Sequence, residues 1–285
     1  MLEMLINPKK AERQPWELFF VGLFYASLSI LLVNWIFGND AVLAKYSGIL
    51  VVTFTVMFTL PFVYYTLKLE EEKDEKEDGY IKLLKEHSKA LHAFLWLFLG
   101  FVVAFSFWYI MLSSSQSFRA QIETYCIINR PGNFDDCISQ YGVRGGVSTT
   151  AFVSATDKIF MIFANNIYVL IFTFVFSLIF GAGAIFVLAW NASVIAAAIG
   201  IFTKSNIADL PLGLGRYMIH GIPEIGAYFI GALAGGIISV AIIKHEMKSE
   251  KFWKILQDSL NLIIIAVVVL FLSALVEVFI TPALF

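Results

Sequence analysis

The residues best suited to chemistry are a histidine and a glutamate at the head of a long apolar stretch, IHGIPEIGAYFIGALAGG, which runs from Ile219 to Gly236. His220 and Glu224 are four residues apart, so they share one face if a helix begins by His220. Pro223 fits the first turn of such a helix, since its missing N–H would have no partner there. Glu224 then either stabilises the helix start through the orphan amides and the helix dipole, or joins His220 in attracting a cation or proton.

Three asparagines in neighbouring apolar stretches complete a candidate polar site. Asn165 and Asn166 stand near the start of one stretch, and Asn191 lies in the next. Polar groups at membrane depth are costly unless they are paired, cap a helix or line water, so each of them is a functional hypothesis. The cation-binding interpretation predicts that they line one cavity together with His220 and Glu224.

The sequence lacks the motifs that hydrolytic enzymes use. A zinc hydrolase needs three convergent protein ligands and a separate base, but there is no H-E-x-x-H motif and no second histidine near His220. Neither a G-x-S-x-G motif nor a pair of aspartates within an apolar stretch is present. We expect no enzymatic activity, no bound metal and no cofactor.

The composition is that of a polytopic membrane protein. Hydrophobic residues make up 59% of the 285 residues and charged residues only 15%, which is far more apolar surface than a soluble domain of this size buries. The formal net charge of -2 offers no basic surplus for a nucleic-acid partner. The lipid bilayer is therefore the first partner that we expect.

Seven membrane-spanning helices are the favoured count. A hydrocarbon core about 30 Å thick needs roughly 20 helical residues. The uncharged segment 159–202 has the length of two spans joined at FGAGA, residues 180–184, although a re-entrant pair over 181–202 would give six spans instead. The five clear spans are 17–37, 46–67, 93–113, 221–243 and 259–280.

Lysine and arginine distribution orients these spans. The N-terminal tail and the segment 68–89 are both rich in lysine or arginine. These residues are enriched in cytoplasmic loops whatever acidic residues accompany them, so we expect both segments on the inner side. The segment 244–254 carries four more lysines. Seven spans keep 244–254 inside and place the C-terminus outside, whereas six spans would move these lysines outside. The sequence thus predicts a cell-membrane protein with a cytoplasmic N-terminus.

The longest polar loop, 114–158, is external on this map and holds both cysteines of the chain, Cys126 and Cys137. Disulfides persist in oxidising compartments, so we expect the two to be bonded, with two free thiols as the alternative. Closing so short a loop would contribute about 2–3 kcal/mol to local order.

Glycines mark the expected helix-packing sites. Gly231 and Gly235 have the G-x-x-x-G spacing that lets two helix backbones approach closely, and Gly226 lies one turn earlier. Gly181 and Gly183 lie in the expected turn. The close approach is either between helices of one chain, which is the default, or between two copies.

Two stretches together resemble the stage II sporulation protein M family: FANNIYVLIFTFVFSLIFGAGAIFVLAWNASVIAAAIG and the HGIPEIGAYFIGALAGG that follows. The resemblance covers about 93–280 and implies a five-span core, 93–285. A two-helix transmembrane hairpin, 1–67, and a charged cytoplasmic linker with an interfacial helix, 68–92, precede it. Ala192 departs from the family, where an Asn-Gly pair is common. The matched positions are Asn165, Asn166, Gly181, Asn191, His220, Gly221, Pro223 and Glu224.

The resemblance implies no catalytic role for any matched position, since the family's namesake resembles a membrane anchor for a peptidoglycan-degrading assembly. We therefore expect a non-enzymatic scaffold or subunit of a membrane complex, with other membrane or cytoplasmic proteins, or further copies of itself, as partners. The alternative is a small cation or proton transporter or channel that uses Glu224 and His220.

Overall fold

The computed structural model describes residues 14–40, 42–73, 80–112, 115–129, 134–142, 155–180, 184–204, 206–243 and 249–284. Every regular element in these ranges is a helix, which confirms the all-α prediction. The α-helices are α1 Glu17–Phe37, α2 Ser47–Lys73, α3 Tyr80–Leu112, α4 Arg119–Asn129, α5 Phe134–Gly142, α6 Ala155–Phe180, α7 Ala184–Phe202, α8 Leu210–Ile243, α9 Glu250–Leu275 and α10 Thr281–Leu284.

Seven of these helices are long and apolar enough to cross a membrane: α1, α2, α3, α6, α7, α8 and α9 together with the turns after it. The uncharged segment that left the count open is divided into α6, which ends at Phe180, and α7, which begins at Ala184. Seven spans are thus confirmed, and the chain is a multi-pass membrane protein. The turn itself, with Gly181 and Gly183, lies outside the described residues.

The predicted start of the sixth span near His220 is wrong, because α8 already begins at Leu210. The side chain of Asn206 accepts a hydrogen bond from the backbone N–H of Ala208 and starts a 3-10 turn, Ile207–Asp209, that leads directly into the helix. Pro211 then occupies the first turn, where a proline is tolerated. Pro223 consequently lies inside the helix rather than at its start.

The helix α8 is the centre of the bundle and the most deeply buried span. It packs most extensively against α6 and α9, and it also contacts α7, α2 and α3. Phe229 stacks on Phe94 and meets Phe98 edge to face, which ties α8 to α3. The helices that carry the candidate polar residues therefore all contact one another through α8.

Close backbone contact joins α1 to α3 at two glycines that the sequence analysis did not single out. A Cβ added at Gly22 would strike the carbonyl oxygen of Leu97, and one added at Gly100 would strike that of Phe19. Both neighbours are backbone atoms, which cannot move away by a side-chain rotation. The N-terminal span is therefore attached to the rest of the bundle by small-residue packing of the kind common between membrane helices.

A disulfide between Cys126 and Cys137 joins α4 to α5 at one end of the bundle, which we call the disulfide end. Gln121 of α4 is fully buried there. Its side-chain Nε2 donates to the carbonyl oxygen of Gly48 in α2 at 3.0 Å and to the hydroxyl of Ser193 in α7 at 3.2 Å. The helix α4 thus contacts the start of α2 and the middle of α7. The helices α6 and α8 both start from this end and run parallel to each other.

Candidate functional site

A hydrogen-bonded chain of three side chains connects α6 to α8 in the interior of the bundle. The amide Nδ2 of Asn166 donates to Oε1 of Glu224 at 2.8 Å. The hydroxyl of Tyr228 donates to Oδ1 of the same asparagine at 2.9 Å. Asn166 is 5% exposed and Tyr228 3%, so these bonds replace water that the amide and the hydroxyl have lost. We call Asn166, Glu224 and Tyr228 the polar triad.

The last span adds its own hydrogen bonds to α8 beside the triad. The hydroxyl of Ser273 donates to the backbone carbonyl of His220 at 2.8 Å and lies 3.4 Å from Oε1 of Glu224. Because a serine hydroxyl carries one proton, the shorter contact is the one that it donates to. Ser273 therefore ties α9 to α8 through the backbone and borders the glutamate.

His220 is engaged further along the same side of α8. Its Nδ1 lies 3.2 Å from the hydroxyl of Thr281, a hydrogen-bond distance. Thr281 reaches the histidine because Val276–Ile280 forms a π-helical turn, which shifts the residues after it relative to a regular α-helix. Glu277 lies within this turn. His220 and Glu224 thus face the same neighbour, α9 and its extension, but hydrogen-bond to different partners.

Two of the predicted site residues lie elsewhere. Asn165 is exposed on the side of α6 that faces away from the bundle, because adjacent residues of a helix point about 100° apart. Asn191 is half-buried, and its amide donates to the carbonyl of Val187 in its own helix at 2.8 Å. Of the five residues expected around one cavity, the structure brings together Asn166, His220 and Glu224.

The nearby cavity is lined by hydrocarbon rather than by these polar groups. It has a volume of about 290 Å³ and lies between α6, α8 and α9. The polar side chain in its wall is that of Ser259, whose hydroxyl donates to the carbonyl of Ala234 at 3.3 Å. This cavity and the polar triad are therefore separate features of the same helix junction.

The glycine pair of α8 is used within the chain. A Cβ at Gly231 would lie 2.5 Å from the side chain of Leu170, and one at Gly235 would lie 2.5 Å from the backbone oxygen of Phe174. Between them the hydroxyl of Ser177 donates to the carbonyl of Ala232 at 2.6 Å. A Cβ at Gly226 would meet nothing within 4 Å. The close approach of α6 and α8 thus begins one turn beyond the polar triad.

This junction of α6, α8 and α9 lies entirely within the part of the chain that a known family profile recognises. The profile described as Stage II sporulation protein M matches residues 93–282, which is more than half of the chain. The chain belongs to the stage II sporulation protein M family.

The match begins within α3 and ends in α10, so α1 and α2 precede the family core. An uncharacterized protein from Methanocaldococcus jannaschii is 31% identical over 124 residues, which cover 42% of this chain and 69% of that protein. No solved structure matches the chain.

Sequence reasoning missed several members of this junction. Tyr228 continues the spacing of His220 and Glu224 by a further four residues, and this signal could have identified it. Ser273 and Thr281 carry no such signal, because serine and threonine are common in membrane helices and usually bond to their own backbone. Only the packing of α9 against α8 shows which of them reach another helix.

Proposed function

We propose that this chain is a non-enzymatic structural subunit of a membrane complex, in which a rigid helical core holds docking surfaces for other proteins. The observation that supports this most directly is the polar triad. Its asparagine, glutamate and tyrosine hydrogen-bond to one another across α6 and α8. Polar side chains used in this way fix the relative position of helices and give a membrane protein one defined arrangement.

A transport role would require a different use of the same residues. An ion carrier presents its polar groups to a water-filled path, so that the ion replaces their existing partners. Here Asn166 has both a donor and an acceptor contact within the bundle, and the cavity of about 290 Å³ beside it is apolar. These features favour the structural role over the cation or proton pathway through Glu224 and His220.

The proposed orientation places the disulfide end outside the cell and the two lysine-rich connections, 68–92 and 244–254, inside. A disulfide is stable on the outer side, and the lysine distribution agrees with that placement. The cytoplasmic helix ends around 68–92 are then the surface on which we expect a partner protein to dock, because they extend beyond the span length of α2 and α3.

Reconstitution tests the structural role against transport. Purified wild-type chain and the Glu224→Gln variant are placed in liposomes under a pH or monovalent-cation gradient, with an ionophore as the positive control. We expect no flux from either, because the triad is a structural contact. Gradient-driven flux in the wild type that the variant loses, with both proteins folded, would overturn the proposal.

Affinity purification from cells that express the chain tests the docking surface. Lys82, Lys85 and Lys89 are replaced together by glutamate. The matched control carries the same replacement at three lysines of the segment 244–254, which are Lys244, Lys248 and Lys251. A partner that co-purifies with wild type and control but not with the 68–92 variant supports docking there. Equal recovery from both variants would place the partner elsewhere.

A further inference from the structure

The side of α6 that faces away from the bundle presents a stripe of exposed side chains. Of all the spans, α6 is the one least buried within the chain. The members of the stripe follow one another at intervals of four and three residues, which is the period of a seam between two helices. They are Met161, Asn165, Tyr168, Phe172, Val175 and Ile179.

Asn165 differs from the other members of this stripe because contact with lipid tails does not favour an amide side chain. It lies seven residues after Lys158, which places it about 10 Å along the span from its first residue. Its amide is exposed, and within the described part of the chain nothing hydrogen-bonds to it. An amide that faces hydrocarbon without a partner is costly, so a partner from outside this chain would relieve a real penalty.

The chemistry of that partner is that of asparagine itself. A primary amide both donates and accepts, so two such groups can form a reciprocal pair across a two-fold axis. All copies of a membrane protein insert with one orientation, so the axis must run along the membrane normal. Two α6 helices around it are then parallel, and each residue meets its own counterpart at the same depth.

We propose that two copies of this chain associate through the α6 stripe, with the Asn165 amides of both copies paired near the axis. An asparagine at a core position is the device by which parallel helix pairs set their register. Tyr168 and Phe172 supply the apolar contact toward the membrane centre, where they are 72% and 55% exposed in the single chain. The glycine pair of α8 is not available for this purpose, since it already contacts α6 within the chain.

Cysteine cross-linking in the full-length chain tests the interface directly. The two native cysteines are bonded to each other, so an introduced cysteine supplies the one free thiol. Phe172→Cys is compared with Leu272→Cys on α9, because both side chains are 55% exposed and lie on membrane-facing helices. After mild oxidation in liposomes, we expect a covalent dimer from Phe172→Cys and little from Leu272→Cys. Equal yields, or a larger yield at Leu272, would refute the stripe as the interface.

A second measurement isolates the amide. The dimer fraction of fluorescently labelled chain in liposomes is followed against the protein-to-lipid ratio for wild type, Asn165→Leu and Asn165→Gln. Interhelical hydrogen bonds in model peptides indicate a dissociation constant raised about five- to thirtyfold in Asn165→Leu, with partial recovery in Asn165→Gln.

The thermal unfolding temperature of the single chain should not fall in Asn165→Leu, because the side chain is exposed and makes no hydrogen bond within the described residues. Wild type that stays monomeric at every ratio, or a leucine variant that dimerises as well as wild type, would overturn the proposal. The cross-linking comparison does not use Asn165→Leu, so it still tests the interface if that variant proves difficult to purify.

Discussion

The contact between α6 and α8 changes its character along its length. Toward the disulfide end, Asn166, Glu224 and Tyr228 hold the helices together by hydrogen bonds. Toward the other end, Gly231 and Gly235 let the backbones touch, so that any added side chain would meet Leu170 or the backbone of α6.

The two halves of the contact rely mainly on different interactions, although the glycine half also contains the hydrogen bond from Ser177 to the carbonyl of Ala232. Helices in a bilayer gain nothing from the hydrophobic effect by meeting each other, so they associate through close van der Waals packing or through polar bonds. A hydrogen bond specifies which residues meet, whereas a glycine surface specifies how closely two helices approach. We therefore expect the glycine half to be intolerant of added volume and the polar half to be sensitive to unpaired polar groups.

The largest effect is expected at the glycine half. Gly235→Leu should lower the free energy of unfolding by about 3 kcal/mol, because its Cβ alone would lie 2.5 Å from the Phe174 backbone oxygen and the helices must separate. Unfolding in bicelles, followed by circular dichroism during a denaturant titration, measures it. Gly226→Leu is the matched control on the same helix and should change stability by less than about 1 kcal/mol. Equal losses from both would contradict the steric account.

Glu224→Leu breaks the polar half and should rank second. It leaves the buried amide of Asn166 without its acceptor, a loss of about 1–3 kcal/mol in the same titration. Glu224→Gln keeps an oxygen that can accept from Asn166 and should lose clearly less. If the glutamine variant is as unstable as the leucine variant, the hydrogen bond from Asn166 does not account for the loss of stability.

Tyr228→Phe is the mildest test of the polar half. It removes a single hydroxyl that donates to Asn166 at 2.9 Å, and interhelical hydrogen bonds of this kind average about 0.6 kcal/mol in membrane proteins. The double variant Asn166→Leu/Tyr228→Phe should lose less free energy of unfolding than the sum of the losses in the two single variants, because both changes remove the same hydrogen bond. Strict additivity would mean that the two side chains do not interact.

The seven spans were predictable because hydropathy is a local property of each segment. A run of some 20 apolar residues is unstable outside the bilayer whatever its neighbours are. The same reasoning failed at the start of α8, since Leu210–Ile219 is apolar enough to extend the helix and His220 and Pro223 looked like a boundary. Pro223 is tolerated inside this helix, as prolines often are where neighbouring helices compensate for the lost bond.

The candidate site was predictable only in part. The residue types and the four-residue spacing singled out His220 and Glu224, and the structure places both on the side of α8 that meets α9 and its extension. Asn165 and Asn166 could not be separated by sequence, because two adjacent asparagines are equally polar. The rotation of α6 about its own axis decides that one lies inside and the other outside.

Composition and short spacing thus established the membrane class and the family, and they favoured the seven spans and the cysteine pair that the structure shows. Tertiary structure alone decided which helix supplies each partner: that Asn166 meets Glu224, that a π-helical turn brings Thr281 to His220, and that Gly235 contacts α6. The physical reason is that hydropathy adds up along one segment, whereas a hydrogen bond between helices depends on the rotation, tilt and depth of both.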